Sequence, residues 1–179
     1  MLAVAMALGT ANAGESLRIT LERDGHALLV RGSIEAGFAD TVRAALATHP
    51  QVDVLIVRSR GGLLHEARKL AVVLNARGIK LRAEDRCASA CAVMWAATQR
   101  RELATGARLG LHRSKWAVHL PGPLRAWVER RNDRANVRTF LDAGFSPALA
   151  LRAAQTPSSS MYWVDARQLE HEQVEFALQ

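Results

Sequence analysis

At 179 residues the chain has room for one domain with a full hydrophobic core and not for two comfortable ones. Hydrophobic residues make up 49% and charged residues 23%, ordinary globular proportions that exclude disordered and fibrous classes. The formal charge of +7 raises nucleic-acid binding, but Arg18, Arg31, Arg58, Arg77, Arg108, Arg125 and Arg152 are dispersed along the chain and aromatics are 5%. With neither a phosphate-neutralising cluster nor a stacking surface, no nucleic-acid partner is expected.

The first residues, "MLAVAMALGTANA", form a short apolar block running into Ala11, Asn12 and Ala13, the small-residue pattern of a signal-peptidase cut. They read as a signal peptide over 1–13 that lacks the usual charged start, with a single domain over 14–179; a buried N-terminal helix is the alternative. The block is too short to span a bilayer, so no membrane partner is expected and the mature protein is read as exported, periplasmic or secreted.

The segments "LRITLER" and "HALLVRGSI" alternate as strands, with Asp24 and Gly25 between them as a two-residue hairpin signal. Residues 36–48 read as a helix with Phe38, Val42, Ala45 and Leu46 on one face. "VDVLIVRS" at 52–59 is the nearly continuous apolar run of a central parallel strand covered on both faces. After "RGG", Leu63, Leu64, Ala67, Leu70, Ala71 and Leu74 fall at helical spacing, with Gly78 just past the end.

A further strand, "IKLRAED", leads into "RCASAC", from which the apolar helix "ACAVMWAAT" departs, and "ARLGLHR" is the next strand. The repeated unit is strand, tight turn, helix. Leu124 to Ala143 has apolar ends and a charged middle, which predicts a helix that projects or lies on the surface; the tail reads as a linker, a short strand and a last amphipathic helix.

In such α/β arrangements, ligands bind beyond the carboxyl ends of the strands. Gly61 and Gly62, Ser89, and His112 fall at three successive strand ends. A serine hydroxyl needs a base to take its proton and N–H donors for the oxyanion that follows. Ser89 can attack, His112 can serve as base, and the N–H groups of Gly61, Gly62 and Ala90 can form the oxyanion hole, with glycine needed so that substrate approaches the backbone. Singly, these residues read as a helix N-cap, a turn and a hydrogen-bonded histidine; their order on successive strands is what points to chemistry.

"VLIVRSRGGLLHEARKLA", "CASACAVMWAAT" and "ARLGLHRS" resemble the Gly-Gly oxyanion turn, the nucleophile turn and the histidine strand of Clp-type serine peptidases, in the ClpP/crotonase superfamily. Ser89 and His112 are 23 residues apart, close to the family spacing. A looser similarity runs from about residue 26 to the final helix and is closest to exported, uncharacterised Clp-like proteins of bacteria, whose nucleophile turn also carries flanking cysteines. The resemblance implies an α/β spiral of strand-turn-helix units, a serine hydrolase that acts on a peptide or ester, and no cofactor. It also implies assembly into rings with 124–143 as the contact helix; the charged middle of that segment argues against a sealed double ring and leaves smaller homo-oligomers open. No ATPase partner is expected of an exported protein.

The family's triad aspartate would fall near Ser160 or Met161, neither of which is acidic; Asp165 further along the same region, or the more distant Asp142, would have to orient His112. A dyad, a water-held histidine and a lapsed enzyme that binds or scaffolds are therefore all open, as is a small-ester hydrolase. A crotonase-type enolate reading needs no Ser–His pair, and Lys69, Lys80 and Lys115 carry no assigned role. Cys87 and Cys91 lack a second ligand pair, so no metal site is expected. They read as a disulfide that fixes the turn bearing Ser89 or as two buried thiols; Cys91 as the nucleophile is a third reading, set back by a place in the first helical turn that points it inward.

Overall fold

The computed structural model describes residues 15–115 and 120–179, so the expected leader over 1–13 and the cut before Gly14 lie outside the described residues. The chain opens with strand β1 (Arg18–Leu21) antiparallel to β2 (Ala27–Arg31). Pairing stops at Leu21 opposite Leu28, so the connection is longer than the two-residue hairpin expected from the sequence. Asp24 builds an Asx turn by accepting from the His26 N–H at 3.0 Å, and Gly25 takes the positive φ of 75°.

Helix α1 (Phe38–Thr48) leads to β3 (Val54–Ser59), α2 (Leu64–Arg77) and β4 (Lys80–Ala88). Then come α3 (Ala90–Ala97), β5 (Arg101–Leu103), β6 (Arg108–Leu111) and the long α4 (Gly122–Asp142). The chain finishes with α5 (Pro147–Gln155), β7 (Tyr162–Asp165), α6 (Ala166–His171) and β8 (Ala177–Leu178).

The sheet runs β1-β2-β3-β4-β5-β8, parallel from β2 onward, with β6 also on β4 and β7 antiparallel on β6. β4 serves two neighbours because it bends. Val57 pairs with Ala83 and Ser59 with Cys87, so β4 carries surplus residues around Asp85, whose φ is 56°. Before the bend, Leu81–Ala83 face β5; after it, Arg86–Ala88 face β6. This redirection brings the end of β4 to the ends of β3 and β6.

The sheet face bearing Leu28, Val30, Leu55, Val57, Leu81, Ala83 and Leu103 packs into one core with residues from all six helices. Helix α3 is buried nearly all round, and its Trp95 donates Nε1–H to Glu102 O at 2.8 Å. β3 was expected to be covered on both faces, but no helix residue joins the small cluster of Ala27, Val54 and Ile56 on the other side. Long charged side chains surround that patch instead: Glu102, 5% exposed, pairs with Arg82 at 2.7 Å and with Lys80 at 3.6 Å, and Arg58 meets Glu84 at 3.3 Å. Of the 21 residues of α4, Asn136 and Phe140 are buried, in keeping with a surface helix.

Candidate active site

At the end of β4 the backbone reverses at Ser89, with φ 58° and ψ −122°. These are the angles of the first central position of a type II′ turn, which a side chain occupies at a cost of about 1–3 kcal/mol. Three restraints hold it there. The Ser89 N–H donates to Gly110 O at 2.8 Å, Ser89 O accepts from the Val93 N–H at 3.2 Å, and a disulfide joins Cys87 to Cys91 with their Cα atoms 5.1 Å apart. Although Ser89 stands at the N-cap of α3, its side chain makes no capping hydrogen bond. Among the described residues the hydroxyl has no hydrogen-bond partner, and the half-buried residue stands at the positive end of the α3 dipole.

Gly61 and Gly62 follow β3 with φ of 99° and 144°. Their need for glycine comes from the protein's own packing. A Cβ on Gly61 would lie 2.6 Å from Ala88 O and 2.7 Å from Ser89 Cβ, and one on Gly62 would lie 2.2 Å from Ile34 O. Gly61 is thus pressed against the Ser89 turn. Its N–H donates to Ser59 Oγ at 3.1 Å, and its carbonyl accepts from the Ile34 N–H at 2.9 Å. Among the described residues, the N–H groups of Gly62 and Ala90 make no hydrogen bond, which leaves these two as the free donors of the expected three.

His112 directly follows β6. Its Nδ1 lies 2.7 Å from Arg113 O. A carbonyl can only accept, so Nδ1 carries a proton, and in the neutral ring it is Nε2 that presents the lone pair. The next residues are tied down: the Arg113 N–H donates to Thr156 O at 2.9 Å and the Ser114 N–H to Asp133 Oδ1 at 2.6 Å. Asn136 Nδ2 donates to Ser114 Oγ at 3.1 Å, and Arg68 Nη2 donates to Asn136 Oδ1 at 2.8 Å. Among the described residues no hydrogen bond joins Ser89 Oγ to His112.

No carboxylate among the described residues bonds to His112. Asp165 is paired opposite Arg108, at the end of β7 remote from the Tyr162–Leu111 pair beside His112, and its Oδ1 caps α6 by accepting from the Gln168 N–H at 2.9 Å. Asp142 pairs with Arg138 at 3.7 Å and lines a separate hollow with Asn75 and Thr98. Ser160 sits in a turn, donating its N–H to Pro157 O, and Met161 lies against Gly110. Lys69 pairs with Asp40 at 2.6 Å, which holds that carboxyl below the usual range, and Lys80 pairs with Asp53 at 3.2 Å.

Gly61, Gly62, Ser89, Ala90 and His112 line one cavity of about 930 Å³, a size that holds a small molecule or a few peptide residues. Ile34, Leu64, Val93, Leu111 and Phe140 supply its apolar wall. Arg68 and Asn136 also line it. Neither was singled out in the sequence, where each looks like one more polar residue on an amphipathic or charged helix.

No protein-family model and no curated protein matches the chain. A solved structure of a ClpP1 mutant from Listeria monocytogenes is similar in fold, with 16% identity, a TM-score of 0.68, and coverage of 87% of this chain and 92% of that one. The fold is therefore the ClpP-like α/β architecture expected from the sequence.

Proposed function

We propose that the protein is a serine hydrolase, a peptidase by preference, in which Ser89 is the nucleophile and His112 the general base. The observation that supports this most strongly is the Ser89 turn. A serine held at positive φ, with its hydroxyl excluded from capping, faces the same cavity as His112 and two free backbone N–H groups. On this reading Ser89 Oγ attacks the scissile carbonyl while His112 Nε2 takes its proton. The N–H groups of Gly62 and Ala90 stabilise the oxyanion, the imidazolium returns the proton to the leaving group, and water then releases the acyl-enzyme.

The Arg113 carbonyl occupies the role of the missing acid. It fixes the tautomer that leaves Nε2 basic, but it brings no negative charge to stabilise the imidazolium. A slower enzyme than one with a carboxylate is the consequence. Because Ser89 and His112 are not hydrogen-bonded at rest, substrate binding has to close that gap; such bonds are often loose before substrate arrives.

Export fits the same reading: the disulfide suits an oxidising compartment, and residues 1–13 would be the leader. Outside the cell there is no ATP supply, so substrates would be short or unfolded and no ATPase would assist. Leu124 and Trp127, both exposed on α4, offer a face for a homo-oligomer.

The test is labelling with a fluorophosphonate probe. Wild type is expected to react, and Ser89→Ala to lose labelling by about a thousandfold or more. An unlabelled wild type, or equal labelling of both, rejects the enzyme reading in favour of a non-catalytic binding or scaffold protein, the reading that the absent acid and the unmade Ser89–His112 bond would then support. A panel of ester and peptide substrates separates a peptidase from a small-ester hydrolase.

A further inference from the structure

Arg68 is the charged cavity residue for which the proposed reaction gives no use and whose placement is costly. It projects from α2 and is half-buried, whereas Glu35, His65 and Lys115 of the same lining are exposed. Its one hydrogen bond among the described residues is Nη2 to the neutral amide oxygen of Asn136, and among them no carboxylate forms an ion pair with it. Two acids, one on α2 and one on α4, hold backbone N–H groups instead, and Glu35, exposed on the same lining, forms no ion pair with Arg68 among the described residues. Glu66 Oε2 accepts from the Ala39 N–H at 2.9 Å at the start of α1, and Asp133 holds the Ser114 N–H. Burial lowers the Arg68 pKa, the signature of a cation losing water without gaining a counter-charge.

Asn136, 8% exposed, is itself oriented by donating to Ser114 Oγ, so its oxygen stays directed at the guanidinium. Arg68 is thus positioned by a neutral partner while its remaining N–H donors stay unused and its charge uncompensated, beside a largely apolar wall. Half-burial strips part of the water from this cation while its one protein partner is neutral, and an occupant anion offsets that partial cost through charge-assisted hydrogen bonds.

We propose that Arg68 receives a carboxylate of the substrate, so that the site prefers acyl or peptide substrates carrying an acidic group near the scissile bond. The inference rests on the reading of Ser89 and His112 as the reacting pair, and two measurements keep the two separable.

The first uses para-nitrophenyl hydrogen glutarate and para-nitrophenyl pentanoate, whose acyl chains have equal length with and without a terminal carboxylate. Wild type is expected to favour the glutarate by about tenfold or more in kcat/KM; Arg68→Gln should abolish that preference and Arg68→Lys should keep part of it. A wild type that shows no preference, or a ratio unchanged in Arg68→Gln, overturns the proposal. An amidated peptide with one Glu and an apolar peptide with a free C-terminus then tell a side-chain carboxylate from a terminal one; a rate unaffected by removing either carboxylate counts against both.

The second measurement does not need turnover. Glutarate binding to Ser89→Ala, followed by calorimetry, should weaken about tenfold or more when Arg68→Gln is added. If neither ester is cleaved, the hydrolase reading fails and this titration still decides the role of Arg68: equal binding in the two variants overturns it.

Discussion

The turns β4–α3 and β7–α6 each place a polar side chain at the N-cap of a helix that follows a strand, and they use it in opposite ways. Asp165 has extended backbone angles, φ −100° and ψ 177°, and its carboxylate satisfies the Gln168 N–H. That is an ordinary cap, worth about 1 kcal/mol. Ser89 adopts φ 58° and leaves its helix without a side-chain cap. One turn gains stability from its polar residue; the other forgoes that gain, accepts backbone strain, and is braced by a disulfide and by Gly110. A strained residue under such bracing is the observation on which the role proposed for Ser89 rests.

The largest expected effect comes from removing the close packing that the Ser89 turn depends on. In Gly61→Ala the new methyl would meet Ala88 O at 2.6 Å and Ser89 Cβ at 2.7 Å, at a φ of 99° that L side chains resist. Both the backbone clash and the strain act on the Ser89 turn. We expect a loss of roughly 3 kcal/mol of stability in thermal unfolding and about a hundredfold in fluorophosphonate labelling rate. Labelling at the wild-type rate would mean that the turn does not have to sit where Gly61 allows it.

Next in size is the covalent brace. Cys87 and Cys91 are both fully buried, so thiol titration of the unfolded, unreduced protein should find no free thiol. A loop this short constrains the unfolded chain weakly, so Cys87→Ala with Cys91→Ala is expected to cost about 2 kcal/mol or less. The labelling rate should fall further than that suggests, by about tenfold, because Ser89 stands inside the bridged segment. Loss of stability with labelling unchanged would make the bridge purely structural.

Much of this was legible in the sequence for a simple reason: the strands that carry the site are apolar runs, and the helices that follow them show their buried stripe. The elements that escaped were short or disguised. β5 reads "REL", and its Glu102 enters the sheet by pairing with Arg82, which no hydrophobic pattern announces. β8 has two residues. Helix α5 has its signals in plain view, Ser146 as a cap accepting from the Leu149 N–H and Pro147 at the first position, but its nine residues show too short a stripe to stand out beside the long α4.

At the site, residue types revealed the candidates but not their geometry. Nothing in "ASA" announces a serine at positive φ, and no side-chain identity announces that a main-chain carbonyl fixes the His112 tautomer. Nor does the sequence show that a Cβ on Gly61 would meet the Ser89 turn, a packing reason for glycine beside the expected approach of substrate.

The smallest expected effect tests the other turn. If Asp165 is a cap and nothing more, Asp165→Asn should keep both stability and labelling rate, because an amide oxygen accepts the Gln168 N–H as well as a carboxylate does. Asp165→Ala should then cost about 1 kcal/mol in thermal unfolding and leave labelling within about twofold. If Asp165 instead orients His112 during the reaction, Asn and Ala should slow labelling together while only Ala lowers stability, because an amide cannot supply the negative charge that an imidazolium needs. The register of β7 on β6, with Asp165 opposite Arg108 and Tyr162 opposite Leu111, favours the first outcome, since it sets the carboxylate a whole strand length from the histidine.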